Sequence, residues 1–137
     1  MEPLIVDFET REITIPKEIT FLGVKDDDET RTLYFKMPKT YKGLDLSDFN
    51  IWINYINAAN KGDKYIVEGR EEDGDYFTFS WTVGDFAYYA AGTVMFLVYV
   101  WKANEDGIVV KKLHTTWAKL KVLPGGNVGE SIIEEYP

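Results

Sequence analysis

Apolar and polar residues alternate along much of the chain, most clearly in residues 31–37. There every second residue is large and apolar: Leu33, Phe35 and Met37. Because successive side chains of a strand point to opposite faces, this period of two is typical of a half-buried strand. We therefore predict a strand here, and we expect it to end at Pro38 because proline cannot donate to a ladder of hydrogen bonds.

Other segments carry a similar signal, and turns that contain Gly, Asn or Asp separate them. Further strands are predicted at residues 4–8, 13–15, 21–24, 50–57, 64–68, 76–82, 93–102 and 108–122. The segment 93–102 is almost continuously apolar, which is typical of a central strand covered on both faces. Only residues 84–91 favour a helix, and at most a short one, with Asp85 as its cap.

This succession of strands predicts an all-β fold, an antiparallel two-layer β-sandwich over residues 1–123. Residues 124–137 begin with PGGNVG and are predicted to be a linker or C-terminal stub without a core of its own. The residues expected in the core are large apolar side chains on the inward faces of the strands. They are Leu33, Phe35, Ile51, Ile53, Phe77, Phe79, Trp81, Phe96, Val98, Leu120 and Val122.

Composition limits the chemistry that the chain can perform. Its 137 residues include no cysteine and one histidine, His114, which excludes disulfides, thiolate metal sites and multi-histidine zinc sites. The formal net charge is -8. Because nucleic acids and anionic membranes attract basic surfaces, this charge argues against both as partners.

The N-terminus and the longest apolar run bear on location. The first residues, MEPLIVDFETRE, lack the basic start and the long apolar stretch of a signal peptide, so none is expected. The longest apolar run, residues 94–101, is far shorter than the roughly 20 residues of a membrane-spanning helix. We therefore expect a soluble protein.

Two acidic segments are candidates for metal binding. In the first, Asp26, Asp28 and Thr30 have the alternate spacing of calcium-binding loops, but the glycine and the distal glutamate of such loops are absent. We interpret this segment as a solvated turn that leads into the strand at 31–37. The second segment, residues 69–75 (GREEDGD), has a turn-forming Asp73-Gly74 pair and receives the same interpretation.

No catalytic motif stands out. His114 lies in a predicted strand. No G-x-S-x-G motif is present, and Ser47, Ser80 and Ser131 lie in no motif that would supply a serine nucleophile. A pair of glycosidase carboxylates cannot be placed from the sequence, since an acidic chain contains many candidate pairs. We therefore expect a protein that is not an enzyme and that has no cofactor and no bound metal.

The aromatic residues remain as candidates for binding. Aromatics make up 15% of the chain, and six of them are too many for one core: Trp52, Tyr88, Tyr89, Tyr99, Trp101 and Trp117. On a β-sandwich such side chains cover the ends of the fold, stack on sugar rings or anchor a protein interface. Among the two binding roles, an interface with protein is favoured over a sugar site.

The predicted strand at 93–102 carries apolar side chains on both faces. Val94, Phe96, Val98 and Val100 suit the core, so the opposite face, from Met95 to Trp101, needs another cover. The only obvious cover within the chain is the segment around Phe86, and a partner is expected to contact whatever it leaves open. The interface candidates are Phe86, Tyr88, Tyr89, Tyr99 and Trp101.

Two stretches, residues 13–38 and 43–58, also carry a family resemblance. The acidic turn at 26–29 runs into a Thr30-Arg31 pair and a strand, and a G-x-D-L-S connector from Gly43 to Ser47 leads into the next strand. Together with FTFSWTVG at 77–84 and GTVMFLVYV at 92–100, this pattern resembles the N-terminal β-sandwich of phage baseplate upper proteins and related prophage structural proteins of Gram-positive bacteria. The resemblance covers residues 11–123.

The resemblance implies an immunoglobulin-like sandwich that docks onto other tail or baseplate subunits. Association of several copies of this chain into a homo-oligomer is a further alternative. It implies a place in the virion, or in the bacterial cytoplasm while a prophage is being assembled. The alternative is a carbohydrate-binding or adhesion module, because such modules share the sandwich and the surplus of aromatic residues. Carbohydrate is the less favoured partner.

Overall fold

A computed structural model of the chain describes residues 2–126; the predicted stub at 124–137 falls mostly outside these residues. The described residues contain thirteen strands and no helix. The strands are β1 (Leu4–Asp7), β2 (Glu12–Thr14), β3 (Gly23–Val24), β4 (Thr32–Pro38), β5 (Thr40–Tyr41), β6 (Leu44–Asp45), β7 (Asn50–Ile56), β8 (Gly62–Val67), β9 (Glu71–Asp73), β10 (Tyr76–Thr82), β11 (Gly92–Ala103), β12 (Val109–His114) and β13 (Ala118–Leu123). No helix long and apolar enough to cross a membrane is present in residues 2–126.

Two sheets form the layers of the fold. The first sheet has the order β2-β1-β4-β10-β9, and the second has the order β3-β13-β11-β7-β8 with β12 also paired to β11. The small pair β5–β6 lies in the segment that the sequence identified only as a connector. The β-sandwich prediction is therefore confirmed.

The strand order is that of an immunoglobulin-like sandwich. The order β1-β4-β10-β9 corresponds to A-B-E-D, and the order β13-β11-β7-β8 corresponds to G-F-C-C′. Most strand pairs are antiparallel as predicted, but β1 pairs with β4 and β3 pairs with β13 in parallel. Neither parallel pair is joined by a hairpin, because other strands intervene in sequence both between β1 and β4 and between β3 and β13.

The core lies between the two sheets, and every residue predicted for it is buried. Phe35 stacks on Phe79 within the first sheet, with ring centroids 5.3 Å apart and the planes 6° from parallel. Contacts between aromatic rings also join the sheets: Phe35 meets Phe96 at 6.3 Å and Trp81 meets Tyr55 at 5.0 Å. Burying each such side chain stabilises the fold by roughly 1.5–3 kcal/mol.

Residues 84–91 form consecutive turns at one end of the sandwich. The amide of Ala87 donates to the carbonyl of Gly84 at 3.2 Å, and the amide of Tyr88 donates to that of Asp85 at 3.0 Å. The side chain of Tyr88 enters the core, where its hydroxyl donates to the carbonyl of Leu22 at 3.2 Å. The segment therefore stays within the predicted upper limit of one short helix.

Strand β11 changes its partner along its length. It pairs with β13 from Gly92 to Phe96 and with β12 from Tyr99 onwards, while β7 runs along its other side. The buried Thr115 bridges the gap: its amide donates to the carbonyl of Val98 at 3.0 Å, and its hydroxyl accepts from the amide of Val98 at 3.1 Å. This side chain thus replaces a ladder bond where β12 gives way to β13.

Candidate functional site

The outer face of the second sheet carries a row of aromatic side chains. We call Trp52, Tyr99, Trp101 and His114 the aromatic row. Because Ile51, Ile53, Val98 and Val100 of the same strands point into the core, Trp52, Tyr99 and Trp101 point away from it. The strand register places Tyr99 directly between Trp52 of β7 and His114 of β12.

The rings of the aromatic row hold one another in place. Trp52 meets the edge of Trp101 with the centroids 5.1 Å apart and the planes at 68°. Tyr99 lies 6.0 Å from Trp52, and it stacks on His114 at 6.2 Å with the planes at 26°. Each pair of aromatic rings contributes about 0.5–1.5 kcal/mol beyond burial, so the row is a preordered surface and not a set of independent side chains.

Cationic, polar and apolar groups border the aromatic row. The Lys64 ammonium lies 4.1 Å from the centroid of the Trp52 ring, within the range of a cation–π contact. Ile66 of β8 lies opposite Trp52 and is exposed. Asn50 donates weakly to the carbonyl of Trp101 at 3.5 Å. A surface with an aromatic centre and a mixed rim resembles the composition of protein interfaces.

One polar atom in the row has no partner. Nε1 of Trp101 is buried and forms no hydrogen bond within residues 2–126. Most buried polar atoms in folded proteins are paired, because an unpaired one costs roughly 1–3 kcal/mol. Packing against the Trp52 ring therefore holds Trp101 in place, although its indole N–H forms no hydrogen bond within residues 2–126.

Towards β13, the outer face of β11 is partly covered by other residues of the same chain. The β11–β13 register, extended by one residue beyond Phe96 and Ala118, places Leu97 opposite Trp117. Leu97 is buried although it is on the outer side of β11, and Trp117 remains partly exposed. On this face Trp52, Tyr99 and Trp101 are half-buried, and Ile66 and Trp117 beside them are exposed.

The structure separates the five predicted interface residues. Tyr99 and Trp101 lie together in the aromatic row and are half-buried. Phe86 packs its ring against the edge of Tyr55, 6.0 Å away, on the core side of the second sheet. Tyr88 is fully buried, which removes it from any surface, whereas Tyr89 is 67% exposed at the end of the sandwich.

The expectation that residues 86–89 cover the outer face of β11 is wrong. The side-chain amide of Asn57 donates to the carbonyl of Phe86 at 3.0 Å, and the carbonyl of Tyr88 accepts from the backbone amide of Asp26 at 3.0 Å. These contacts hold the segment across the end of the core. Trp52 and His114 were missed as neighbours of Tyr99, because alternation shows which face a side chain occupies but not which strand lies beside it.

A groove of about 770 Å³ lies on the opposite side of the molecule, over the outer face of the first sheet. Tyr34, Thr78 and Ser80 line it from β4 and β10, together with Arg70 and Glu71. Tyr34 faces Ser80 across the strand pair and is 45% exposed. The groove thus offers one aromatic ring beside hydroxyl groups and a carboxylate.

Arg70 is already committed to the fold. It donates to the carbonyls of Leu46 at 3.3 Å and of Ser47 at 3.5 Å, and it also binds the carbonyl of Phe49. Burial lowers the pKa of its guanidinium. These bonds fasten the connector before β7 to the start of β9, so Arg70 is not a free cation for a ligand.

The first acidic turn is part of the scaffold. A carboxylate oxygen of Asp27 accepts from the amide of Val24 at 3.0 Å and from the hydroxyl of Thr30 at 3.4 Å. The amide of Glu29 donates to the carbonyl of Val83 at 3.0 Å. Within residues 2–126, no group of three or more His, Asp or Glu side chains is placed to hold a metal ion.

His114 takes part in packing. Its Nδ1 lies 2.9 Å from the carbonyl of Thr115, and its ring stacks on Tyr99. The carbonyl of His114 accepts from the guanidinium of Arg11 at 3.1 Å, which ties the turn between β1 and β2 to the second sheet. The arrangement orients the ring as a member of the aromatic row.

The chain was also compared with known proteins. No protein-family model, no curated protein and no solved structure matches it significantly. The functional argument therefore rests on the surfaces of the molecule itself.

Proposed function

We propose that this chain is a non-enzymatic structural module of a phage or prophage tail, of the baseplate type, and that it binds another subunit through the aromatic row. The observation that carries the proposal is the preordered, half-buried set of rings at Trp52, Tyr99 and Trp101. The resemblance of residues 11–123 to the baseplate β-sandwich supports the choice of partner.

The side chains of the aromatic row combine a large contact area with restrained rotamers, and both properties favour a protein partner. Trp and Tyr are enriched among the side chains that dominate interface energies, since they bury a large area with few rotatable bonds. In the aromatic row those bonds are already restrained by contacts 5.1 to 6.2 Å between centroids. A partner that covers the row therefore loses little side-chain entropy on binding.

The geometry of the row favours protein over sugar. Trp52 and Trp101 meet at 68°, so the two rings do not form one flat platform for a sugar chain. The row lies on the face of a sheet, and the grooves lined by Tyr34 and by Tyr41 include none of its members.

The proposal is tested with Tyr99→Ser and Trp101→Ser against Tyr34→Ser as the matched control. Tyr34 is an exposed aromatic residue on the outer face of the opposite sheet. Each purified variant is used to capture the tail and baseplate proteins encoded beside its own gene. We expect capture to fall about tenfold or more for both row variants and to stay unchanged for the control.

A second candidate function is carbohydrate binding in the groove at Tyr34. The observation in its favour is the pairing of an exposed ring with the hydroxyls of Thr78 and Ser80 and the carboxylate of Glu71. Sugars bind proteins through ring stacking and hydrogen bonds to such groups. Glycan binding that is lost in Tyr34→Ser and retained in Trp101→Ser would select this function over assembly.

A further inference from the structure

The two outer faces of the sandwich carry charges of opposite sign. On each strand the outward positions are those that alternate with buried residues or pair with such outward positions. In the second sheet these positions hold lysines and, within the described strands, no carboxylate. The lysines are Lys64, Lys112, Lys119 and Lys121. We call this surface the lysine face.

The outward positions of the first sheet are mainly acidic, and we call this surface the carboxylate face. Its charged side chains are Asp7, Glu12, Glu71 and Asp73, together with the single cation Lys36. Acidic residues outnumber basic ones in the chain, 23 to 15, so a sheet face with lysines alone does not follow from composition. The separation of the charges is a property of the fold.

Most of these charges are available to a partner. The four lysines of the lysine face are exposed, and none of them forms an ion pair within residues 2–126. On the carboxylate face Asp73 pairs with Lys36 at 3.5 Å, and Asp7 accepts from the amide of Glu9 at 2.9 Å. Glu12 and Glu71 are exposed and form no ion pair in the same part of the chain.

Each face also has apolar surface among its charges. The lysine face contains the aromatic row, and the carboxylate face exposes Ile5, Tyr34 and Tyr76. The groove of about 770 Å³ beside Tyr34 makes part of the carboxylate face concave. In protein interfaces large apolar side chains supply most of the affinity, and complementary charges select the partner and its orientation.

We propose that the lysine face of one copy of this chain binds the carboxylate face of the next copy. The chain itself presents both complementary surfaces, whereas two lysine faces, or two carboxylate faces, would bring like charges together. This inference rests on the proposed role of the aromatic row as an interface, and it names the subunit that binds there. Because the two faces point in opposite directions, the contact repeats from copy to copy and builds a ring or a filament.

Self-association is measured on the purified full chain by sedimentation velocity at physiological ionic strength. Each copy has a formal net charge of -8, but at this ionic strength charges more than about 8 Å apart are largely screened. Opposed side chains at the contact still attract each other. We expect the mean mass to rise with concentration beyond that of two copies, at chain concentrations up to about 1 mM.

Charge reversal on one face at a time tests the pairing of the faces. Lys112→Glu with Lys119→Glu reverses charges on the lysine face, and Glu12→Lys with Glu71→Lys reverses charges on the carboxylate face. Each variant alone should self-associate about tenfold or more weakly, because its reversed face meets like charges. An equimolar mixture of the two should associate within about threefold of the unchanged protein, since the reversed faces complement each other and so do the unchanged ones.

The matched control is Lys17→Glu with Lys61→Glu. It makes the same change in net charge at exposed lysines that lie outside the strands of both sheets. Self-association of this control should stay within about twofold of the unchanged protein. Circular dichroism and the Tm verify that every variant is folded, and recovery in the mixture excludes misfolding as the cause of a loss.

Three results would overturn the inference. The first is a monomer at every concentration up to about 1 mM. The second is a mixture of the two variants that associates no more strongly than either variant alone. The third is a complex that stops at two copies, because one of the faces would then pair with itself. All three are obtained with the purified chain alone, so they are distinct from a failure of the aromatic row to capture neighbouring proteins.

Discussion

Replacing Thr115 tests the junction at which β11 passes from β12 to β13. The Thr115 side chain is buried, and its hydroxyl accepts from the amide of Val98 at 3.1 Å and donates to the carbonyl of Thr116 at 2.9 Å. Thr115→Val keeps nearly the same shape but removes both bonds. The amide of Val98 is then left without its acceptor inside the sandwich.

The magnitude follows from those two bonds. A buried donor without a partner costs about 1–3 kcal/mol, and the lost bond to Thr116 costs about 1 kcal/mol more. The additional methyl group of valine offsets about 0.8 kcal/mol. Thr115→Val should therefore lower the free energy of unfolding by about 1–3 kcal/mol. For a chain of this length the Tm should fall by about 3–12 °C.

Thr115→Ser is the matched control, because serine keeps the hydroxyl and loses one methyl group. We expect it to cost about 1 kcal/mol, less than the valine variant. Both free energies are measured by urea unfolding and both Tm values by calorimetry. A valine variant at least as stable as the serine variant would show that the Thr115 hydroxyl does not bridge the ladder.

Three further predictions concern the core, the acidic turn and alkaline pH. Phe79→Ala removes a buried ring stacked on Phe35 at 5.3 Å, and it should cost about 3–5 kcal/mol by denaturant unfolding; an unchanged midpoint would exclude Phe79 from the core. Asp26→Asn with Asp28→Asn changes only exposed carboxylates, so stability should stay within about 0.5 kcal/mol with or without calcium; a calcium-dependent rise in the Tm that this variant abolishes would reveal a metal site. Burial raises the pKa of Tyr55 to about 12, so stability present below about pH 10, where tyrosine of the unfolded chain titrates, should be lost as the pH rises towards 12. Tyr55→Phe should weaken this loss, and an equal loss in that variant would refute the assignment.

The sequence predicted the core because alternation and burial have the same physical cause. Leu33, Phe35, Phe77 and Phe79 alternate with polar residues, and all four are buried between the sheets. A strand with one solvated face must show this pattern, whichever strand lies beside it. The sandwich and its inward face were therefore accessible without any knowledge of strand order.

The pairing of strands was harder to predict from the sequence, and the composition of the candidate site depended on that pairing. Tyr99 and Trp101 were identified because β11 is apolar on both faces, but Trp52 and His114 became their neighbours through a register set by distant strands. Tyr88 was predicted to be an interface residue in the segment 84–91. Its ring is buried against Gly23. A larger residue at position 23 would exclude the ring, because an added Cβ atom would lie 2.4 Å from a ring carbon of Tyr88.

The most direct test of the proposed assembly role is the affinity of the purified chain for the proteins encoded by the genes next to its own, measured by biolayer interferometry. The account predicts that Trp101→Ser remains folded, as shown by its circular dichroism, and loses about tenfold or more in affinity. Tyr34→Ser should bind as the unchanged protein does. A folded Trp101→Ser variant that binds every such neighbour with undiminished affinity would contradict the account.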